Sequence, residues 1–323
     1  MITIFGIFLL CLLVVTALAI VQTRNLFVAV MLAAIFSLLM AANFFILDAA
    51  DVALTEAAVG AGVTTVILLS ALALTAEQEQ RSGSIRWLSV GVVAVTVLIL
   101  IYATFDKPRL GDPSAPVHQH VAPWYLEKTP ELMDIPNVVT AVLASFRGYD
   151  TLGEVFVVFV AMVGVLFVLS ADSGRTGTVR APDPGLRHHL IPKVVGRLLL
   201  PFIILFGLYV QFHGEYGPGG GFQAGAIIAT GLILHALLEG EQAALRSVPA
   251  SAMQALVVVG ALLYGGVGVL CMLLGGSFLD YSVLHSDPVT GRQLGIIAIE
   301  LGVGMTVTGA LLSIFHAFAA REH

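Results

Sequence analysis

The 323 residues are 58% hydrophobic and only 11% charged, whereas soluble globular domains run near roughly 45–50% and 25%, so a soluble fold is excluded. Lys and Arg number 15 against 21 Asp and Glu, a net charge of -6, and no basic patch interleaved with aromatics stands in the chain, which sets nucleic acid aside. Cys11 and Cys271 both sit inside apolar runs, where a free thiol acts as a small hydrophobe, and no spacing links them as a disulfide or metal pair.

Nine apolar segments follow in order, at 2–21, 26–47, 52–74, 87–105, 152–169, 194–212, 222–238, 253–274 and 294–318. Each approaches the ~20 residues that a helix needs to cross a bilayer's hydrocarbon core. A membrane β-barrel would instead show ~10-residue segments of alternating polarity. The predicted fold class is all-α, a polytopic transmembrane helical bundle of nine spans in a cell membrane. No Lys or Arg precedes the first apolar run and no small-residue cleavage site follows it, so it reads as a retained helix rather than a secretory signal. With the N-terminus outside, the cytoplasmic loops hold Arg24, Arg81, Arg86, Arg175, Arg180, Arg187, Lys193, Arg197, Arg246 and Arg321. The outer side then holds Lys107, Arg109, Lys128, Arg147 and Arg292. Because cytoplasmic loops are enriched in Lys and Arg, this distribution selects the N-terminus outside and the C-terminus in the cytoplasm.

Two interruptions divide the chain: 106–150 is polar and rich in Pro, and 170–192 is basic and rich in Gly, Pro and Asp. The expected modules are a three-helix segment at 1–76, a two-helix segment with a long outer loop at 77–172, a cytoplasmic linker at 173–187 and a four-helix domain at 188–323. Within the first interruption, Ala122-Pro123-Trp124-Tyr125-Leu126 reads as an aromatic anchor at headgroup level. In the second, His188 and His189 read as solvated. No internal repeat is found, so the inverted-repeat signature of a self-contained secondary transporter is absent.

An ionisable side chain at the centre of a span costs ~2.5–3.5 kcal/mol on insertion scales, so acids retained in the apolar runs are candidate functional groups. Glu300, in the last span, is the clearest. Gly304 and Thr308 follow it on the same helical face, where a neighbouring helix can approach closely and a hydroxyl can stand beside the carboxylate. Glu56 repeats this design in the third span with Gly60 and Thr64, although a first-turn Glu also complements the helix dipole. Asp150 and Glu154 are i,i+4 partners at the mouth of the fifth span, with Arg147 near enough to neutralise one of them. Such a pair can gather protons or Na⁺, or simply cap a helix. His235 and Glu239, also i,i+4, form a further candidate pair near the cytoplasmic end of the seventh span.

The most specific stretch joins the sixth and seventh spans: Gln211-Phe212-His213-Gly214-Glu215-Tyr216-Gly217-Pro218-Gly219-Gly220-Gly221-Phe222-Gln223. It is no nucleotide loop, because it follows a membrane helix and no Gly-Lys-Ser/Thr closes it. Its Gly and Pro residues turn the chain sharply and leave amides unpaired at a helix start. Non-helical backbone at membrane depth persists only where it is buried in protein or lines a wet cavity. His213 can titrate near neutral pH beside Glu215.

These residues carry a family resemblance. His213-Gly214 with Gly217-Pro218-Gly219-Gly220-Gly221-Phe222-Gln223, followed by Glu300-Leu301-Gly302-Val303-Gly304, resembles the MrpB (also MnhB) component of Mrp-type multisubunit Na⁺/H⁺ antiporters. Upstream, Leu54-Thr55-Glu56-Ala57-Ala58-Val59-Gly60-Ala61-Gly62 resembles the MbhD segment. Arg147-Gly148-Tyr149-Asp150-Thr151-Leu152-Gly153-Glu154 resembles the MbhE segment. The chain thus resembles a fusion of the C-terminal end of the large MrpA protein with MrpB. It departs from the pattern where Glu215 replaces a usual second His and Ala224-Gly225 replaces Gly-Gly. Lys107, Lys128 and Lys193 all lie in loops or at a span edge, unlike the buried lysines of the family's proton-translocating subunits.

The resemblance implies a component of a transport complex and not an enzyme. It implies no cofactor, Na⁺ and H⁺ as transported ions, and other Mrp/Mnh subunits and membrane lipids as partners. Glu56, Asp150, Glu154 and Glu300, with His213, would line the cation route, because hard cations prefer oxygen ligands. Two alternatives stand beside this expectation. One is the membrane arm of a hydrogenase or other redox-driven ion-pumping complex, whose redox centre would lie in a partner because this chain has no Cys cluster. The other is a purely structural scaffold in which the carboxylates only hold helices together.

Overall fold

The computed structural model describes residues 2–80, 87–109, 111–171 and 190–320. The linker expected at 173–187 lies outside the described residues. Among the described residues, nine helices are long and apolar enough to cross a membrane. In chain order these begin with α1 (Ile2–Gln22) and α2 (Leu26–Ile46). The third span joins α3 (Ala50–Thr55), a π-helical stretch (Glu56–Val63) and α4 (Thr64–Ala73), and α5 (Trp87–Phe105) follows. The first interruption is more ordered than a loop. It folds into α6 (Ala122–Met133) and α7 (Val138–Ala141), which continues through a π turn into α8 (Gly148–Ala171). The C-terminal part holds α9 (Leu190–His213), α10 (Gly221–Glu239), the short α11 (Glu241–Ser247), α12 (Ala250–Leu273) and α13 (Pro288–Ala319).

Helix starts follow local capping chemistry. The Asn25 side chain accepts from the Val28 amide at the head of α2. Asp287 accepts from the Thr290 amide and hydroxyl at the head of α13 with Pro288 next, an N-cap followed by a residue already fixed at helical φ. Those bonds hold the Asp287 carboxyl below its usual range. Asp134 closes α6 in the left-handed region at φ 52°, which lets its amide reach the Pro130 carbonyl.

The centre of the molecule is α13, which is flanked through two opposite faces of small residues. In lipid, the hydrophobic effect does not drive helices together, so close backbone approach through Gly and Ser/Thr does much of that work. Toward α12, a β-carbon at Gly260 would lie 2.5 Å from the Gly302 carbonyl, and one at Gly309 would lie 2.5 Å from the Met253 carbonyl. Toward α10, a β-carbon at Gly225 would lie 2.8 Å from the Gly304 carbonyl, and the Thr308 hydroxyl donates to the Gly225 carbonyl at 3.2 Å.

Two fully buried tyrosines then fasten this core to the middle of the chain. Tyr264 donates to the Gly148 carbonyl at 2.8 Å, and Tyr281 to the Ala144 carbonyl at 3.0 Å. Arg292 and Gln293 of α13 donate to the Leu132 and Met133 carbonyls at the end of α6. The aromatic anchor expected at 122–126 packs inward in part, since Trp124 and Tyr125 each lie 5.1 Å from the Phe146 ring. By contrast every residue of α5 is exposed.

Candidate functional site

The site is built where α10 begins. After α9 the chain doubles back, and the Gly220 amide donates to the Val210 carbonyl at 3.0 Å. Gly220 has φ +120°, a conformation that side chains rarely tolerate. Asn137 and Thr140, at the head of α7, hold the turn from the other side. The Asn137 Nδ2 donates to the Gly214 and Gly217 carbonyls at 2.9 Å each, and the Thr140 hydroxyl donates to the Gly214 carbonyl at 2.7 Å.

Glu300 projects from α13 onto this turn. A β-carbon at Gly220 would lie 3.2 Å from its Oε1, and one at Gly214 would lie 3.1 Å from its Oε2. The tight turn therefore needs glycine for space as well as for φ. No side chain caps the N-terminus of α10, so the Glu300 carboxylate stands beside the unpaired amides and positive dipole end of that helix. The charges that act on it through space are those of Glu215 and Asp51, both acidic. One Glu215 carboxyl oxygen is buried with no hydrogen-bond partner, and burial pushes its pKa up.

Beside the turn lies a cavity of about 720 Å³ between α3, the α7–α8 region, α10 and α13. Its ionisable lining is Asp51, Glu154 and Glu300, accompanied by Thr55, Thr140, Thr151 and Gln223. The other walls are mostly valine, leucine, isoleucine and phenylalanine side chains with Gly219, Gly220 and Gly221, and among the described residues no Lys, Arg or His lines it. Among the described residues no three His, Cys, Asp or Glu are close enough to hold a metal ion together. The arrangement can offer carboxylate, hydroxyl and carbonyl oxygens to one monovalent cation or proton at a time, in surroundings of low dielectric where each charge counts for more.

The residues singled out from sequence divide accordingly. Glu300, Glu154, Phe222 and Gly219–Gly221 meet at the cavity, with Gly217 and Pro218 in the supporting turn, and Gly304 and Thr308 serve the close α10 approach. Glu56 lies elsewhere. Its carboxylate lies over Gly60, where the Ser37 hydroxyl of α2 also reaches, and Thr64, the first residue after the π-helical stretch, is exposed. Gly60 thus stands beside the Glu56 carboxylate as the helical spacing expects, and a neighbouring helix approaches there.

Asp150 is exposed and paired with Arg147 at 2.5 Å. The His213 ring stacks on Tyr209 at 4.7 Å, in a shallow outer hollow with Leu208 and Phe212. At the far end of α10, His235 lies 3.3 Å from the Ser247 hydroxyl. Glu239 there accepts from Arg197 and lies 3.9 Å from the Lys193 ammonium.

Sequence reading passed over Asp51, Thr140 and Asn137. Asp51 stands just before an apolar run and looks like a span boundary, while Asn137 and Thr140 are undistinguished within a polar interruption. Gln223 was inside the glycine-rich motif, and its amide donates to the Thr55 hydroxyl at 2.8 Å.

Comparisons with known proteins bear on the same residues. Residues 191–313 match the family model of a domain related to the MnhB subunit of Na⁺/H⁺ antiporters. Residues 11–77 match the MbhD family and 86–182 the MbhE family, both named for components of MBH. A protein of Rhizobium meliloti described as the A/B component of a K(+)/H(+) antiporter is 27% identical over 87% of this chain and 30% of its own length. The antiporter protein mnhB2 of Staphylococcus haemolyticus is 31% identical over 42% of this chain and 97% of its own length.

Among solved structures, a chain of the Mrp complex from Dietzia sp. DQ12-45-1b shares 27% identity at a TM-score of 0.73, over 95% of this chain and 34% of that one. A chain of an archaeal membrane-bound sulfane sulfur reductase shares 30% identity at a TM-score of 0.51, over 70% of this chain and 96% of its own. This chain thus spans about a third of the length of the Rhizobium and Dietzia proteins. It belongs to the MnhB family of Na⁺/H⁺ antiporter subunits, with MbhD and MbhE segments preceding the MnhB domain.

Proposed function

We propose that the chain is an integral component of an Mrp-type multisubunit cation/H⁺ antiporter, with its N-terminus outside, and that Glu300 is the group its ions meet. It works in transport rather than as an enzyme, holds no cofactor and depends on other Mrp/Mnh subunits. The observation that carries this reading is a carboxylate at the uncapped end of α10, facing a cavity lined by acids and, among the described residues, by no basic side chain. A carboxylate so placed accepts either a cation or a proton. Two ions competing for one negative charge yield exchange, provided the partner subunits give each ion its own access.

Glu154 shares the cavity and supplies a second oxygen donor, and Asp150, one turn earlier on α8, lies on the approach to it. Descriptions of the relatives name both Na⁺ and K⁺, and carboxylate oxygens suit either. The test is cation-driven dissipation of a proton gradient in everted vesicles carrying the complete complex. Glu300→Gln is expected to lower exchange with Na⁺ and K⁺ by at least about tenfold, the effect of losing one charged interaction, at unchanged complex abundance. Unaltered exchange overturns the assignment.

The similarity to a chain of a respiratory complex favours one second reading, in which these segments sit in a redox-driven pump. Purification of the intact complex separates the two, since iron–sulfur subunits would accompany this chain only in the latter.

A further inference from the structure

Asn137 is overcommitted. Its side-chain amide has two hydrogens but three acceptors within reach: the Gly214 and Gly217 carbonyls at 2.9 Å and the Asp51 Oδ1 at 3.1 Å. Its own Oδ1 is taken by the Val139 and Thr140 amides at the head of α7, and its backbone amide donates to the Glu215 carbonyl. This one residue therefore touches all three segments of the chain: Asp51 of the first, α7 of the second and the glycine turn of the third. The third acceptor is also the longest contact and the charged one, so the strength of that bond follows the state of Asp51.

We propose that Asp51 is a second ion-binding carboxylate of the route, and that Asn137 is the positioning residue that links its charge to the turn beneath Glu300. The inference rests on the reading of Glu300 given above. While Asp51 is negative it draws an amide hydrogen away from the turn, because bonds to a charged acceptor are stronger than bonds to a neutral one. When Asp51 takes a proton or a cation, that hydrogen returns to the Gly214 or Gly217 carbonyl and the turn tightens against Glu300. No covalent step is involved.

The ionisable groups that share the cavity with Asp51 are Glu300 on α13 and Glu154 on α8, Glu215 on the turn acts with Asp51 on Glu300, and the His213 ring stands on the other side of the turn against Gly217. Of the segments packed on α3, α2 and the opening turns of α7 and α10 carry no ionisable side chain, and the π-helical stretch carries Glu56, which lies over Gly60. Among the described residues no basic side chain lines the cavity, so filling one carboxylate there changes the field at the others.

Two substitutions take the link apart without removing the helix cap. Asn137→Ser keeps an oxygen to cap α7 and removes the amide. Asp51→Asn keeps an acceptor of the same shape and removes the charge. In everted vesicles with the complete complex, each is expected to raise the apparent KM for the transported cation at least about tenfold. Vmax should stay within about twofold, and the double variant should be no worse than the more affected single one, because both cut the same link. Additive effects, an unchanged KM, or losses that merely follow complex abundance overturn the proposal. If Glu300→Gln abolishes exchange while both of these variants leave KM unchanged, this inference fails and the reading of Glu300 stands. If Glu300→Gln has no effect, that reading fails first.

Discussion

Gly221→Ala tests whether contact between α10 and α13 sets the site. A β-carbon at 221 would lie 2.1 Å from the Glu300 carbonyl and 2.9 Å from the Gly304 amide, whereas ordinary contact begins at 3.4 Å. The helices must therefore part by on the order of 1 Å, since the atoms in the way are backbone and cannot rotate aside as a side chain would. Overpacking of this kind costs about 1–3 kcal/mol, and the upper end applies where no rotamer change can relieve it. A 1 Å displacement of a reacting group is associated with losses of about a hundredfold.

Gly153→Ala is the matched control. Gly153 also lines the cavity and also sits in a membrane helix, yet a β-carbon there has nothing within 4 Å. In the purified complex the thermal midpoint should fall clearly for Gly221→Ala and hold or rise for Gly153→Ala. Vesicle exchange per assembled complex should drop only for the former. If the two variants match in both measurements, the close approach of α10 to Glu300 is not what places the carboxylate.

Two further outcomes follow from the buried groups. Burial pushes the Glu215 carboxyl above its ordinary range, so the folded chain binds that proton more tightly than the unfolded chain does. The stability of the native protein therefore falls as pH rises from the ordinary carboxylate range, about 4.3, through the raised value. Glu215→Gln should accordingly leave thermal stability unchanged near pH 4 and raise it at pH 8, and a gain of equal size at both pH values would contradict the cause assigned. Tyr281→Phe removes the donor to the Ala144 carbonyl and should cost about 1 kcal/mol, read as a lowered unfolding midpoint without a change in cation selectivity.

Much of this molecule is set by its sequence alone. Continuous apolar runs near the length of a bilayer crossing can only be helices, because backbone groups in lipid must bond within their own segment. The Glu300, Gly304 and Thr308 face could be read from helical spacing, since residues one turn apart must share a side. The glycine-rich stretch could be read because so much Gly and Pro is incompatible with continuing a helix.

Only the tertiary structure decided which acids share a space. The Glu56 carboxylate lies over Gly60, one turn on, where the Ser37 hydroxyl of α2 also reaches, and it does not line the cavity that Asp51, Glu154 and Glu300 share; helical spacing placed Gly60 beside it but could not say which neighbouring helix the pair would meet. Asp51 and Asn137, 86 positions apart, meet because three separate helix ends converge on one turn. A bond at that separation depends on packing between elements, which no local periodicity records. Asp150 with its Arg147 partner and Glu154 differ by one helical turn and are both exposed, yet only Glu154 lines the cavity, because the packing of α8 beside α3, α10 and α13 decides which side of that turn faces the enclosed space.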